Sequence, residues 1–148
     1  MSIYLQEPQR RLGDKVGVLL INLGTPESCD TADVRAYLKE FLSDQRVVEL
    51  PKALWQPILR GAILPRRPKA SAANYRKVWT EQGSPLAVIL AAQTQAVREY
   101  FQHLGKEVIV DFAMTYGQPS ITSQLEALKA QGVGRLLVLP LYPQYSSS

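Results

Sequence analysis

Three tyrosines lie in or beside loops that follow predicted strands, and they are the side chains best placed to hold a ligand. Tyr116 stands in the stretch TYGQPS, and Tyr142 and Tyr145 stand in YPQYSSS. An aromatic ring offers an apolar face, and its hydroxyl can form a hydrogen bond. The three rings suit a flat, apolar ligand that carries anionic groups, although a buried tyrosine is more often a core residue with a satisfied hydroxyl.

A basic segment could bind the anionic groups of such a ligand. No acidic residue occurs from Leu50 to Thr80, whereas seven basic residues do: Lys52, Arg60, Arg66, Arg67, Lys69, Arg76 and Lys77. A segment of one sign attracts anions or an anionic membrane surface, and the alternative is a solvated basic face. No nucleic-acid-binding motif accompanies the charge, so we expect no nucleic-acid partner.

Several other chemistries lack the residues that they need. The stretch NLGTPE has one glycine where a dinucleotide fingerprint needs three, and the chain has neither a Walker A sequence nor a G-x-S-x-G elbow. His103 and Cys29 are the only histidine and cysteine, too few for the three or four ligands of a zinc site. The sequence therefore disfavours a classical nucleotide site, a hydrolytic centre and a metal centre.

The predicted elements alternate between strands and helices. Continuous apolar runs predict strands at Lys15–Asn22, Glu107–Met114 and Arg135–Leu141. Helical stripes separate them, and their members are Val34, Tyr37, Leu38, Phe41 and Leu42, then Leu86, Ile89, Leu90, Val97, Tyr100 and Phe101, then Ile121, Leu125 and Leu128. This order predicts an α/β fold with a doubly wound parallel sheet, in which ligands bind at the carboxyl ends of the strands.

Two further segments complete the expected organisation. Residues 1–14 read as a polar tail, and residues 47–70 carry four prolines, which predict short helices instead of one long one. Ser84 and Pro85 predict the start of the long helix that follows. The chain has no apolar run long enough to span a membrane and no apolar signal region at its N-terminus, so we expect a cytoplasmic location.

Six stretches in order closely resemble the first half of ferrochelatase, the enzyme that inserts ferrous iron into protoporphyrin IX. They are GVLLINLGTPES, VRAYLKEFLSDQRVV, ILPRRPK, NYRKVWTEQGSPL, MTYGQPSI and VLPLYPQYSSS. The resemblance runs from about Lys15 to Ser148. It implies that residues 15–148 are an N-terminal α/β porphyrin-binding domain, the first of two chelatase-like domains, truncated at its C-terminal end.

The resemblance also implies a mechanism in which a distorted porphyrin loses its pyrrole protons to a histidine. That histidine and an active-site glutamate belong to the family's second half, so we expect no catalytic residue in this chain and no activity from it alone. The partners implied are protoporphyrin IX and ferrous iron, the latter as a substrate. Two alternatives remain open: a related chelatase for coproporphyrin or another metal, and a non-catalytic tetrapyrrole- or membrane-binding module.

The family's substrate-binding positions carry over to nine residues of this chain: Leu23, Phe41, Arg67, Lys69, Tyr75, Ser84, Tyr116, Tyr142 and Gln144. Arg67 and Lys69 would lie near the porphyrin propionates. Ser147 stands where cluster-bearing members have cysteine, so we expect no iron–sulfur ligand there, no metal ligand and no bound cofactor. Segment 54–65 resembles the lip associated with peripheral membrane contact.

Overall fold

The structure, a computed structural model, describes residues 14–142. The predicted polar tail, apart from its last residue Asp14, lies outside these residues. So do the predicted positions Gln144, Tyr145 and Ser147.

A three-stranded parallel sheet forms the centre of the fold. Its strands are β1 (Lys15–Gly24), β2 (Val108–Tyr116) and β3 (Val133–Pro140), and β1 lies in the middle. Leu20 of β1 is aligned with Phe112 on one side and with Leu139 on the other. The parallel sheet predicted from the apolar runs is confirmed.

Five α-helices accompany these strands in the described part of the chain. Their bounds are Thr31–Ser43 (α1), Lys52–Ile58 (α2), Leu64–Val78 (α3), Pro85–His103 (α4) and Ile121–Ala130 (α5). Within residues 14–142, no helix is both long and apolar enough to cross a membrane.

Helices cover both faces of the sheet, as the alternating pattern predicted. Val18 and Leu20 point to one face and pack with Leu90 of α4. Leu19 and Ile21 point to the other face and pack with Leu128 of α5. Because successive side chains of a strand point in opposite directions, the continuous apolar run of β1 supplies both cores.

The proline-rich segment differs from its prediction. Residues 52–78 form one uninterrupted helical path, in which a π-helical turn at Leu59–Ile63 joins α2 to α3. Pro65 lies at the start of α3, directly after the π-helical turn. Pro57 and Pro68 each remove one backbone donor inside a helix.

Apolar burial holds this path together despite the prolines. Leu59 and Leu64 are buried against Leu42 of α1, and Trp55 packs against the same cluster. The Trp55 Nε1–H also donates a hydrogen bond of 2.6 Å to the Leu42 carbonyl oxygen. The prediction of separate short helices was wrong because it counted lost backbone bonds and omitted this packing.

Candidate functional site

The carboxyl ends of the strands form the candidate site. Gly24 ends β1 beside Tyr116, the last residue of β2, and Tyr142 follows β3. Both β1 and β2 run two residues further than predicted, so Leu23 and Tyr116 lie in strands instead of loops. Since a strand holds its side chains more firmly than a loop, these positions are set by the sheet.

An aromatic stack crosses this edge. The rings of Tyr37 and Phe41, one turn apart on α1, are parallel with centroids 6.0 Å apart. Phe41 meets Tyr116 edge to face, with centroids 5.2 Å apart and an interplanar angle of 82°. Tyr116 is only 3% exposed, whereas Phe41 is half-buried, so Phe41 is the more exposed of these two rings.

Three hydrogen bonds tie α1 to the strand ends. The Tyr37 hydroxyl donates to the Gly24 carbonyl oxygen at 3.2 Å, and the Gly117 N–H donates to the Glu40 carboxylate at 2.9 Å. The Tyr116 hydroxyl donates to the Asp44 carboxylate at 2.9 Å. Tyr37 and Glu40 lie about one turn apart on α1 and Asp44 directly follows the helix, so the C-terminal part of α1 and its capping residue make all three bonds.

The charges at the end of α1 set the protonation of the site. Hydrogen bonds from the Arg46 side chain, followed by one from its backbone N–H, hold the pKa of Asp44 well below its usual range. Burial, with the bond to Asp44 second, raises the pKa of Tyr116 to about 12. Asp44 is therefore a charged acceptor and Tyr116 a neutral donor throughout the physiological range.

Two other tyrosines of the site remain neutral as well. Burial, followed by the electrostatic effect of Tyr75, raises the pKa of Tyr37. Burial also raises the pKa of Tyr75 itself. The phenols of Tyr37, Tyr75 and Tyr116 thus add no negative charge to the site.

An open cavity of about 590 Å³ lies beside the stack. Its lining includes Tyr116, Asp44 and Glu40, together with the cations Arg46 and Lys52. It therefore presents both signs of charge next to an aromatic wall, as a ligand with an apolar body and ionised substituents would require.

Arg67 and Lys69, the two basic residues predicted to lie near the propionates, are on α3. Arg67 and Lys69 are exposed, whereas Tyr75 is half-buried, with its ring edge to face with Trp79 at 6.0 Å between centroids. α3 packs against α1, the helix that carries Tyr37 and Phe41. No bond to another residue fixes the Arg67 or Lys69 side chain among the described residues.

Two predicted positions carry structural contacts. Ser84 is buried at the start of α4, where its hydroxyl accepts a hydrogen bond of 3.2 Å from the Ala87 N–H, which confirms the predicted cap. Tyr142 packs against the core on the α5 face of the sheet. Ser84 lies at the carboxyl edge of the sheet, because α4 runs from that edge back to the edge where β2 begins. Tyr142 lies at the carboxyl edge because it follows β3.

His103 lies at the opposite end of the molecule. It is exposed in the last turn of α4, shortly before β2 begins, and its Nδ1 is 2.9 Å from the Glu99 carbonyl oxygen. In residues 14–142, no group of three or more His, Cys, Asp or Glu side chains is arranged to hold a metal ion. The candidate site itself combines aromatic rings, phenols, carboxylates and cations.

The sequence interpretation missed the roles of Glu40, Asp44 and Arg46. The signal for these roles in the sequence was spacing. Tyr37, then Glu40 or Phe41, then Asp44 stand about one helical turn apart. That spacing indicates which side chains share a face, but not that the face would meet Tyr116 of a distant strand.

Comparison with known proteins is in keeping with these features. A family model named Ferrochelatase matches residues 15–148. The chain is 51% identical over 151 residues to a ferrochelatase of Aromatoleum aromaticum, covering 100% of this chain and 41% of that relative. It is 55% identical over 150 residues to a ferrochelatase of Neisseria gonorrhoeae, covering 100% of this chain and 44% of the relative.

A third relative extends the same pattern. The chain is 53% identical over 135 residues to a ferrochelatase of Actinobacillus pleuropneumoniae, covering 91% of this chain and 42% of the relative. The chain thus spans about two fifths of the length of the curated relatives that it matches. The chain belongs to the ferrochelatase family.

Proposed function

We propose that these residues are the N-terminal portion of a protoporphyrin ferrochelatase and that they form one wall of its porphyrin site. The observation that carries the proposal is the Phe41 ring, which contacts both Tyr37 and Tyr116 at the carboxyl edge of the sheet. A porphyrin is flat, apolar in its body and anionic at its propionates. The stack suits the macrocycle, and the neighbouring cations suit the propionates.

The chemistry divides between binding and proton transfer. Metal insertion requires a distorted macrocycle and a base that accepts the pyrrole protons. The described residues bind and orient: the aromatic wall supports the ring, and its neutral phenols add no negative charge. His103, at the far end of α4, is out of reach of a ligand on this wall.

The first prediction concerns activity. We expect that the 148-residue polypeptide alone does not insert ferrous iron, since its one histidine lies away from the site. A chimera with these residues in place of the matching 44% of the Neisseria gonorrhoeae relative should insert iron. Insertion is measured anaerobically as loss of protoporphyrin fluorescence, with the unmodified relative as control.

Three outcomes would count against this proposal. Turnover by the polypeptide alone, above a control without protein, would contradict the division of roles. A folded chimera that does not insert iron, beside an active relative, would overturn the function. Faster iron insertion into coproporphyrin than into protoporphyrin would show that coproporphyrin is the preferred substrate.

A second prediction tests the basic residues. Arg67→Ala in the chimera should weaken porphyrin binding at low ionic strength and have less effect at high ionic strength. An exposed charge contact contributes about 0–1 kcal/mol and is screened by salt. Fluorescence titration at two salt concentrations measures the effect. Lys106→Ala, an exposed cation just before β2, is the matched control.

Equal affinities of wild type and Arg67→Ala at both salt concentrations would show that the basic segment is a solvated face. The same loss with Lys106→Ala would assign the effect to net charge instead of position.

We also propose a cytoplasmic chain that contacts the membrane peripherally through α2. Leu54 and Ile58 are 65% and 47% exposed, and the exposed Arg60 and Arg66 follow in sequence. Leu59 and Leu64 of the same predicted segment are buried. Fewer side chains of segment 54–65 are therefore exposed for membrane contact than the resemblance implied. Exposed apolar residues beside cations are typical of helices that lie in an anionic membrane interface.

The third prediction follows from this exposure. Leu54→Ser should reduce cosedimentation with vesicles of mixed zwitterionic and anionic lipids about fivefold, because part of the burial energy of one leucine is lost. Leu125→Ser, at a 40% exposed leucine of α5, is the control and should bind as wild type does. Equal binding of all three proteins would rule out α2 as the contact.

A further inference from the structure

Asp44 joins two elements that are far apart in sequence. As the residue that directly follows α1, it accepts the hydrogen bond from Tyr116 at the end of β2. The carboxylate is also held in place by its neighbour: Arg46 Nε lies 3.1 Å from each carboxylate oxygen, and the Arg46 backbone N–H donates to Oδ1 at 2.8 Å. Asp44 therefore has little freedom to move away from Tyr116.

The direction of the Tyr116 bond is fixed by charge. Asp44 is ionised and can only accept, while the Tyr116 hydroxyl keeps its proton and donates. Hydrogen bonds to an ionised group are shorter and stronger than neutral ones. The bond thus sets where the Tyr116 ring lies at the strand end.

Tyr116 in turn positions Phe41. Its ring meets Phe41 edge to face, and the Tyr37 ring stacks parallel to that of Phe41. Tyr116 is 3% exposed but lines the open cavity, and Phe41 is the half-buried ring of the stack, so Tyr116 can act on a ligand both directly and through Phe41. Loss of the bond to Asp44 would free the Tyr116 ring and, with it, one side of Phe41.

We propose that Asp44 is a positioning residue of the porphyrin site, whose carboxylate, anchored by Arg46, fixes Tyr116 and thereby the orientation of the Phe41 ring. This inference rests on the proposed function, since it assigns the positioned ring to porphyrin contact. It gives Tyr116 a supporting role beside Phe41, in addition to the direct contact that the family resemblance implies.

The first arm of the test needs no porphyrin. With ¹³C-labelled tyrosine in the 148-residue chain, NMR follows the ionisation of Tyr116, whose resonance is assigned with Tyr116→Phe. The charged groups that act on Tyr116 are Asp44, Arg46 and Glu40. Asp44→Asn removes the negative acceptor and leaves Arg46 unneutralised, so both changes lower the Tyr116 pKa from about 12 toward the ordinary value of ~10.

Glu49→Gln is the matched control for this arm, because Glu49 is exposed and forms no side-chain hydrogen bond among the described residues. It removes the same charge and should leave the Tyr116 pKa unchanged. An unchanged Tyr116 pKa in Asp44→Asn, or an equal fall in Glu49→Gln, would overturn the inference.

The second arm uses the chimera with the Neisseria gonorrhoeae relative. Asp44→Asn should raise the KM for porphyrin about fivefold, which corresponds to one net hydrogen bond, with kcat within twofold of wild type. Tyr116→Phe keeps the ring and removes the same bond, so it should have the same effect. The double variant should lose no more than either single variant, since both remove one interaction.

The outcomes separate this inference from the proposed function. An unmodified chimera that folds but neither binds nor metallates porphyrin overturns the function. An active chimera in which Asp44→Asn and Tyr116→Phe keep the wild-type KM overturns the positioning inference alone. If Asp44→Asn does not fold, Tyr116→Phe decides the question, because it removes the same bond without leaving Arg46 unpaired.

Discussion

Alanine in place of Gly24 is expected to prevent the chain from folding. A Cβ atom at this position would lie 1.9 Å from the Tyr116 carbonyl oxygen and 2.9 Å from its carbon. Both are backbone atoms of the neighbouring strand, so no side chain can move aside to relieve the overlap. Gly24 also has a φ of 125°, which other residues rarely adopt.

The expected loss exceeds ~4 kcal/mol, which is a large part of the stability of an ordinary domain. Gly83→Ala is the matched control, because Gly83 has a φ of 118° but nothing within 4 Å of its added Cβ. It isolates the backbone strain, at about 1–3 kcal/mol. Circular dichroism and urea unfolding measure both variants. A Gly24→Ala protein that is folded and no less stable than Gly83→Ala would contradict the close approach of β1 and β2.

Alanine in place of Leu59 is expected to cost about 2–5 kcal/mol of unfolding free energy. Leu59 is fully buried at the start of the π-helical turn, where it packs with Leu42 and Leu64. The truncation would leave a cavity between α1 and the helical path, which already lacks backbone bonds at its prolines. Urea unfolding measures the loss.

The control for this experiment lies five residues earlier. Leu54 is 65% exposed, so Leu54→Ala should change the unfolding free energy by less than about 0.5 kcal/mol. The two leucines of one predicted segment would then have separate roles, one in the core and one at the surface. Equal losses for the two variants would show that the assignment of buried and exposed faces is wrong.

The parts of the fold that sequence patterns predicted are those with local causes. The β1 run is apolar on both faces, which is typical of a central parallel strand, and the structure confirms it. The Ser84–Pro85 pair predicted the start of α4, since a serine hydroxyl can accept from the backbone and a proline needs no donor there. Each inference concerned a few neighbouring residues.

The parts that were missed depend on distant contacts. The helical path at 52–78 is stabilised by α1, which no local pattern of prolines indicates. Likewise, Asp44 meets Tyr116 72 residues later in the chain. The aromatic residues of the site could be selected by type and by resemblance, but the polar groups that hold them could not.

The central place of β1 has a consequence for the newly made chain. Val16 pairs with Val108, so about 90 residues must be synthesised before β1 meets its first partner strand. At about 5–20 residues per second, this apolar strand waits roughly 5–20 s on the ribosome without its sheet. During that time α1 and the 52–78 path can pack with each other, because their shared core needs no strand. We therefore expect β1 to be the stretch of the nascent chain that most needs protection by a chaperone.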